Sequence, residues 1–324
     1  MNTVNIACWS IGEHAKRNIL PTIELHSDVN LIGVYTRDLE TKLNVSTQYG
    51  CKSYLNEREL LEDENVHAVY ISSPTSEHYS QIKQCLLHGK SVLVEKTALP
   101  NPELTLQCIN LAREKELFVM EAFMYRFHKQ FSALLSILSN SEYGEIKKID
   151  CEFGFPHLDG KNIRYKKALE GGALFDAGAY TLSSIRHLLG ERVKVISALV
   201  MSEEEYEVDT FGTATLLAED IIATATWGFG LSYANKIKVW TDKVHIEVDR
   251  AYSKREEPYK IQISANGNII ELIEVEPDNH FYHMFSHFCS ALINETTKNE
   301  CLDDLFHQSQ LLNEVRILGS KNEN

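Results

Sequence analysis

Four short segments of the 324-residue chain hold the side chains best suited to chemistry. Ser72–His78 (S-S-P-T-S-E-H) follows an apolar run at 68–72. Glu95-Lys96-Thr97 follows another at 91–94, and Met120–His128 (M-E-A-F-M-Y-R-F-H) lies at the end of a third, 118–122. Each run reads as a buried strand, so these three segments fall at C-terminal strand ends, where open α/β sheets bind ligands. The fourth, Gly171–Tyr180 (G-G-A-L-F-D-A-G-A-Y), opens a helix on which Asp176 and Tyr180 stand four residues apart and share a face. An ammonium, a carboxylate and a phenol can together hold and move a proton at an oxygen. Each also has a plain reading: Lys96 as a surface residue, Tyr180 as packing, Asp176 as a carboxylate favoured near a helix N-terminus. Spacing alone makes them candidates.

The elements that must position them follow two rhythms. Through residue 122, strands at 4–8, 29–35, 68–72, 91–94 and 118–122 alternate with helices at 13–25, 39–49, 57–61, 76–87 and 102–115. Such alternation predicts a parallel, doubly wound Rossmann sheet over residues 1–122, a dinucleotide-binding domain. Beyond it, helices at 130–139 and 173–189 precede β-type runs at 194–201, 210–218, 221–229, 236–240, 244–248, 259–264 and 269–273. Helices at 280–294 and 303–318 close the chain. Residues 123–324 are therefore expected to form an α+β substrate-binding and oligomerisation domain. Its large open sheet should be mostly antiparallel, with helices on one face. The other face needs a cover, which predicts a homodimer or higher homo-oligomer through that sheet.

At the first strand-to-helix turn stands Ala7-Cys8-Trp9-Ser10-Ile11-Gly12. Setting the G-x-G-x-x-G fingerprint at positions 7, 9 and 12 leaves only Gly12 matched. Context still points to phosphate binding, because the turn opens the first helix of a βαβ unit. Cys8, Trp9, Ser10, Ile11 and Gly12 are the candidate residues, with the Trp9 side chain read as pointing away from the ligand. The second strand ends Tyr35-Thr36-Arg37, without the acidic residue that holds a ribose 2′-hydroxyl. Thr36 and Arg37 favour a 2′-phosphate, hence NADP(H) over NAD(H); alternatively Arg37 is a solvated loop residue.

Composition narrows the partners. A net charge of -14 argues against nucleic acid. Seven scattered cysteines without a C-x-x-C pair fit reduced thiols in a cytoplasmic protein. The N-terminus predicts no signal peptide, and no apolar run is long enough to span a membrane. His280, His283 and His287 have helical spacing, but no acidic partner completes a zinc site in the same run, so no metal is expected.

Taken together, E-K at 95–96, S-P-T-x-x-H at 73–78, E-A-F-M-Y-R-F-H at 121–128 and G-G-A-L-F-D-A-G-A-Y at 171–180 resemble the Gfo/Idh/MocA family of nicotinamide-dependent oxidoreductases. The similarity is greatest to its glucose–fructose oxidoreductase and dimeric dihydrodiol dehydrogenase branch. The resemblance implies hydride transfer between nicotinamide and a secondary alcohol or ketone of a sugar, sugar derivative or cyclic polyol. It implies Lys96 as the essential lysine, Tyr180 as general acid/base and Asp176 as a carboxylate that binds substrate or orients the site. Thr97 departs from the family's usual proline.

Physical chemistry supports these roles. A phenol with a pKa near ~10 needs a neighbouring positive charge to serve at neutral pH, and Lys96 can supply it. Ser73, Pro74, Thr75, His78, Glu95, Lys96, Tyr125 and Arg126 are the further cofactor candidates. Tyr125 and Arg126 either line the nicotinamide pocket or join the domains, and His78 either meets the ligand or hydrogen-bonds structurally. Lys96, Phe153, Phe155, Arg164, Asp176 and Tyr180 are the substrate candidates. Arg164 with Lys166 and Lys167 could meet an anionic nucleotide-sugar or form a solvated loop. Two alternatives stay open: a nucleotide-sugar ketoreductase, and a non-catalytic NAD(P)-binding sensor of the same fold.

Overall fold

The computed structural model describes residues 3–320. The chain divides into two compact units. One runs through Ala122 and includes Phe281–Ser309; the other runs from Phe123 to His280 and resumes at Gln310. The sequence periodicity assigns everything after 122 to one second domain, whereas Phe281–Ser309 packs with the first unit. Side chains explain this. Phe285 and Phe288 are fully buried, the Phe288 ring lies 5.0 Å from that of Phe118, and Thr105 Oγ1 donates to Ser309 Oγ at 2.9 Å.

The first unit holds six strands: β1 (Val4–Trp9), β2 (Val29–Tyr35), β3 (Lys52–Ser53), β4 (Ala68–Ile71), β5 (Ser91–Val94) and β6 (Val119–Glu121). They pair in the order β3-β2-β1-β4-β5-β6, all parallel. Strands β4 and β5 are buried throughout, as expected of a sheet covered on both faces. The order reverses between β1 and β4, opening a crevice at their C-terminal ends. The expected first helix forms, but its early turns, Ala15–Ile19, are wound as π-helix before the α-helix Leu20–Leu25. Helix Leu39–Tyr49 is fixed at both ends. Asp38 accepts from Thr41 N at its start, and Gly50, at φ 61°, ends it in the left-handed region where glycine is unstrained.

The second unit contributes β7 (Ile146–Phe155), β8 (Lys194–Met201), β9 (Phe211–Ala218), β10 (Ile221–Phe229), β11 (Ala234–Thr241), β12 (His245–Asp249), β13 (Tyr259–Ala265) and β14 (Asn268–Val275). Their order is β14-β13-β12-β11-β7-β10-β9-β8. The sequence reading does not assign β7, yet it is a central strand. Its signal is the period-two set Ile149, Cys151 and Phe153, whose side chains face inward between charged neighbours. β7 runs parallel to β10 and antiparallel to β11, so one ladder makes the sheet mixed.

The inner face buries Ile149, Cys151, Ala223, Ala225, Trp227, Ile237 and Val239. Helix Ala179–Leu189 packs there, against β7 and β10. Trp227 fills a slot shaped by two glycines. A Cβ on Gly178 would come within 2.9 Å of the indole, and one on Gly212 within 2.4 Å. The other face carries Lys148–Asp150 and Lys238–Glu152 ion pairs, together with exposed Leu199, Met201, Ile222 and Trp240.

Candidate active site

The nucleotide turn shifts the fingerprint. β1 continues through Trp9, so positions 7 and 9 lie inside the strand and cannot be the turn glycines. The chain bends at Ser10, whose φ is 69°. Counting from there, Ser10, Gly12 and Ala15 occupy the first, third and sixth positions of G-x-G-x-x-G/A. Each meets its requirement: a tight turn, close backbone approach and helix-to-strand packing. Ser10 N donates to Tyr35 O at 2.7 Å, and Ser72 Oγ donates to Ser10 O at 2.9 Å, which holds the bend. An added Cβ at Gly12 would meet no atom within 4 Å, and Ala15 is completely buried. This turn fits a dinucleotide pyrophosphate.

Several cofactor candidates resolve differently. Cys8 is sealed inside β1, and burial pushes its thiol pKa far upward, so it presents nothing to a ligand. Trp9 lines a cavity of about 520 Å³ with residues of helices Glu57–Glu62 and Thr75–Leu87. His78 is 1% exposed. Its Nδ1 lies 3.0 Å from Thr97 O and its Nε2 2.9 Å from Ser73 O. Burial lowers its pKa, against the opposing effect of these carbonyls. His78 therefore ties two site loops together from below and has no surface left for a ligand.

The Lys96 segment is braced in the same way. Glu95 Oε1 accepts from the Tyr70 hydroxyl at 2.6 Å and lies 3.5 Å from His14 Nε2. Glu121, buried at the end of β6, accepts from Ala98 N at 2.8 Å. The peptide between Lys96 and Thr97 is cis. Glu95 and Lys96 are both partly exposed at the C-terminal end of β5. Thr36, Arg37, Pro74 and Thr75 also retain exposed surface at strand ends, whereas Ser73 is buried and donates its hydroxyl to Gln81 Oε1.

In the second unit, residues Leu174–Gly178 form a π-helical turn that leads into helix Ala179–Leu189. π-turns recur at functional sites. Asp176 lies within this turn and Tyr180 just after it. The turn is anchored by Asp209: its Oδ2 accepts from Leu174 N at 2.6 Å and its backbone oxygen from Ala173 N at 2.9 Å. Gly171 is required where an added Cβ would lie 2.4 Å from Arg164 O. Arg164 Nε donates to Asp176 Oδ2 at 2.6 Å.

Tyr180 is 7% exposed and walled by aromatic rings. Phe123 and Phe153 stand 5.5 Å away, Tyr252 5.7 Å and Tyr125 6.0 Å, and the phenol contacts Met124 Sδ at 3.5 Å. Phe153 belongs to this wall, whereas Phe155 packs mainly against Phe153 and Phe229. Tyr125 is fully buried, with its hydroxyl 2.9 Å from Ser183 Oγ. Arg126 lies over the Phe127 ring at 5.8 Å.

Sequence reasoning missed Tyr252 and Asp209. Tyr252 is completely buried, with its hydroxyl 3.1 Å from Ser184 Oγ. Both residues sit in connections outside the periodic elements, so no local pattern marks them.

A doubly wound sheet with a dinucleotide turn at its switch point, and a second unit presenting a walled phenol beside an Arg–Asp pair, define a two-unit dinucleotide-dependent oxidoreductase. Comparison with known proteins makes the assignment specific. Residues 6–123 match the model of the oxidoreductase family with an NAD-binding Rossmann fold, and residues 131–247 match the GFO/IDH/MocA C-terminal domain. The chain belongs to the Gfo/Idh/MocA family.

Among its relatives is a dTDP-3,4-didehydro-2,6-dideoxy-alpha-D-glucose 3-reductase of Saccharopolyspora spinosa, 30% identical over 83% of this chain and 82% of that one. A trans-1,2-dihydrobenzene-1,2-diol dehydrogenase of Xenopus laevis is 31% identical over 53% of this chain and 52% of its own. The fold matches a 3-ketoreductase from Actinomadura kijaniata, crystallised with NADP and TDP-benzene. The TM-score is 0.93, the identity 24%, and 98% of each chain is covered. Among the described residues no group of ligands could hold a metal, and no helix is long and apolar enough to cross a membrane.

Proposed function

We propose that the protein is an NADP(H)-dependent reductase of a sugar ketone, with a nucleotide-linked ketosugar as its substrate class. What carries this reading is the similarity, over 83% of this chain, to a dTDP-ketosugar 3-reductase. Arg164 supports it, as a half-exposed cation in the second unit suited to an anionic substrate. The sensor alternative needs no walled phenol beside an Arg–Asp pair and loses ground on that account.

Ser10, Ile11 and Gly12 would cradle the pyrophosphate, Thr36 and Arg37 the adenosine end, and Pro74, Thr75 and Lys96 the remainder of the cofactor. When bound, the nicotinamide supplies the hydride received by the carbonyl carbon. Tyr180 donates its phenolic proton to the carbonyl oxygen in reduction and takes it back in oxidation. Lys96 hydrogen-bonds the same oxygen and stabilises the charge that develops there. Asp176 holds Arg164 in place. By reciprocity of electrostatic interactions, a guanidinium whose own pKa is raised first by Asp176, and further by the Tyr180 phenol, favours the ionised phenol in return.

The exposed apolar residues on the outer sheet face support assembly as a homodimer or larger. The seven scattered cysteines, without a C-x-x-C pair among them, support a cytoplasmic location. A stable monomer in sedimentation would remove the assembly reading. The direct test of function is loss of NADPH absorbance with a panel of nucleotide-linked ketosugars, free sugars and polyols. Consumption with the nucleotide-linked ketones is expected, and no change across the panel would sink the proposal.

A further inference from the structure

We infer that Glu77 sets cofactor discrimination by occupying the arginine that a 2′-phosphate would need; this rests on the NADP(H) reading above. Arg37 stands just after β2, where the ribose of a bound dinucleotide is recognised. Its Nη2 donates to Glu77 Oε1 at 2.8 Å. The second oxygen of Glu77, Oε2, accepts from Gln81 Nε2 at 3.1 Å, and Gln81 Oε1 in turn accepts from the Ser73 hydroxyl. The carboxylate is therefore held at both oxygens in the first turn of helix Thr75–Leu87. Arg37 is held less: its side chain is 75% exposed, against 30% for Glu77. Of the two, the arginine is free to swing and the glutamate is not.

The consequence differs between the two cofactors. A 2′-phosphate approaching Arg37 must draw the guanidinium from a fixed carboxylate that also repels it. A 2′-hydroxyl carries no charge to be repelled and finds in Glu77 an acceptor of the kind that NAD-binding sites place at their second strand. Glu77 thus penalises NADP(H), Arg37 favours it, and their balance sets the preference. Like charges about 5 Å apart at a partly solvated site repel by an amount on the order of a tenfold change in affinity.

The test is calorimetric binding of NADPH and NADH to the wild-type protein and to Glu77→Gln, which keeps the side-chain size and removes the charge. NADPH should bind on the order of tenfold tighter to the variant. NADH should bind no tighter, so the ratio moves toward NADPH. Glu77→Ala, which frees Arg37 in the same way, should move the ratio in the same direction. Equal changes for both cofactors, or weaker NADPH binding, would overturn the role given to Glu77 while leaving the cofactor reading intact. Absence of saturable binding of either dinucleotide by the wild-type protein would overturn the cofactor reading itself, and this inference with it.

Discussion

Arg164 Nε donates to Asp176 Oδ2 across 2.6 Å, joining the loop after β7 to the π-turn that leads into Tyr180. The pair makes Asp176 an anchor for a cation. The Arg164 pKa is raised, first by Asp176 and further by the Tyr180 and Tyr165 phenols, so removing this charge disfavours the ionised phenol. In the oxidative direction, Arg164→Gln should move the rising limb of the pH–rate profile to higher pH. Turnover at pH 7 should fall on the order of tenfold and recover in part at pH 9. An unchanged profile would exclude Arg164 from the proton-transfer apparatus.

Tyr180 and Lys96 are proposed to do the chemistry itself. Tyr180→Phe and Lys96→Met should each lose on the order of 100- to 10,000-fold in kcat. Cofactor binding, measured by calorimetry, should remain close to that of the wild-type protein. Wild-type turnover in either variant would refute its assignment.

The nucleotide turn separates stability from binding. Ser10 sits at φ 69°, so Ser10→Gly should relieve strain and raise the melting temperature, by about 1 kcal/mol of stability. Gly12→Val adds atoms where none lie within 4 Å of a new Cβ. It should fold normally yet weaken dinucleotide binding by at least about tenfold, since close backbone approach is lost. A Gly12→Val protein with normal affinity would show that the pyrophosphate lies elsewhere.

Asp209 predicts a pH dependence of stability. Burial pushes its carboxyl up to about 6 from an ordinary value of 3.8, against the opposing hydrogen bond from Leu174 N. Its folded pKa lies above its unfolded one, so between these values the folded state binds more protons. Its contribution is complete below about pH 4 and is lost as pH rises through about 6, amounting to at most about 3 kcal/mol. Comparing melting curves of the wild-type protein and Asp209→Asn between pH 5 and 7.5 isolates this group. The wild type should lose more stability than the variant over that range, and parallel slopes would contradict the assignment.

Trp227 offers a packing test. Gly178→Ala places a methyl group 2.9 Å from its indole. The displacement should cost about 1–3 kcal/mol in denaturant unfolding. It should also lower turnover, because Gly178 lies two residues before Tyr180.

How much of this was legible in the chain follows from how local each feature is. Period and turn residues are local, and they located every long strand of the parallel sheet and most of the second. β7 escaped although Ile149, Cys151 and Phe153 alternate, because lysines and acids fill the positions between them. The same local motifs placed Lys96 at a strand end and Asp176 and Tyr180 on one helical segment.

What the sequence alone determined, then, was the fold class, the family and the residue types brought to the site. The tertiary structure decided the register of the nucleotide turn, because only the backbone shows that β1 runs through Trp9 and bends at Ser10. It decided that the side chains of His78 and Tyr125 are buried, since burial depends on what other segments cover them. It also revealed Asp209, Tyr252 and Glu77. Their partners lie up to 127 residues away in the chain, as with Tyr252 and Tyr125, and no spacing within a segment can encode a contact that folding alone creates.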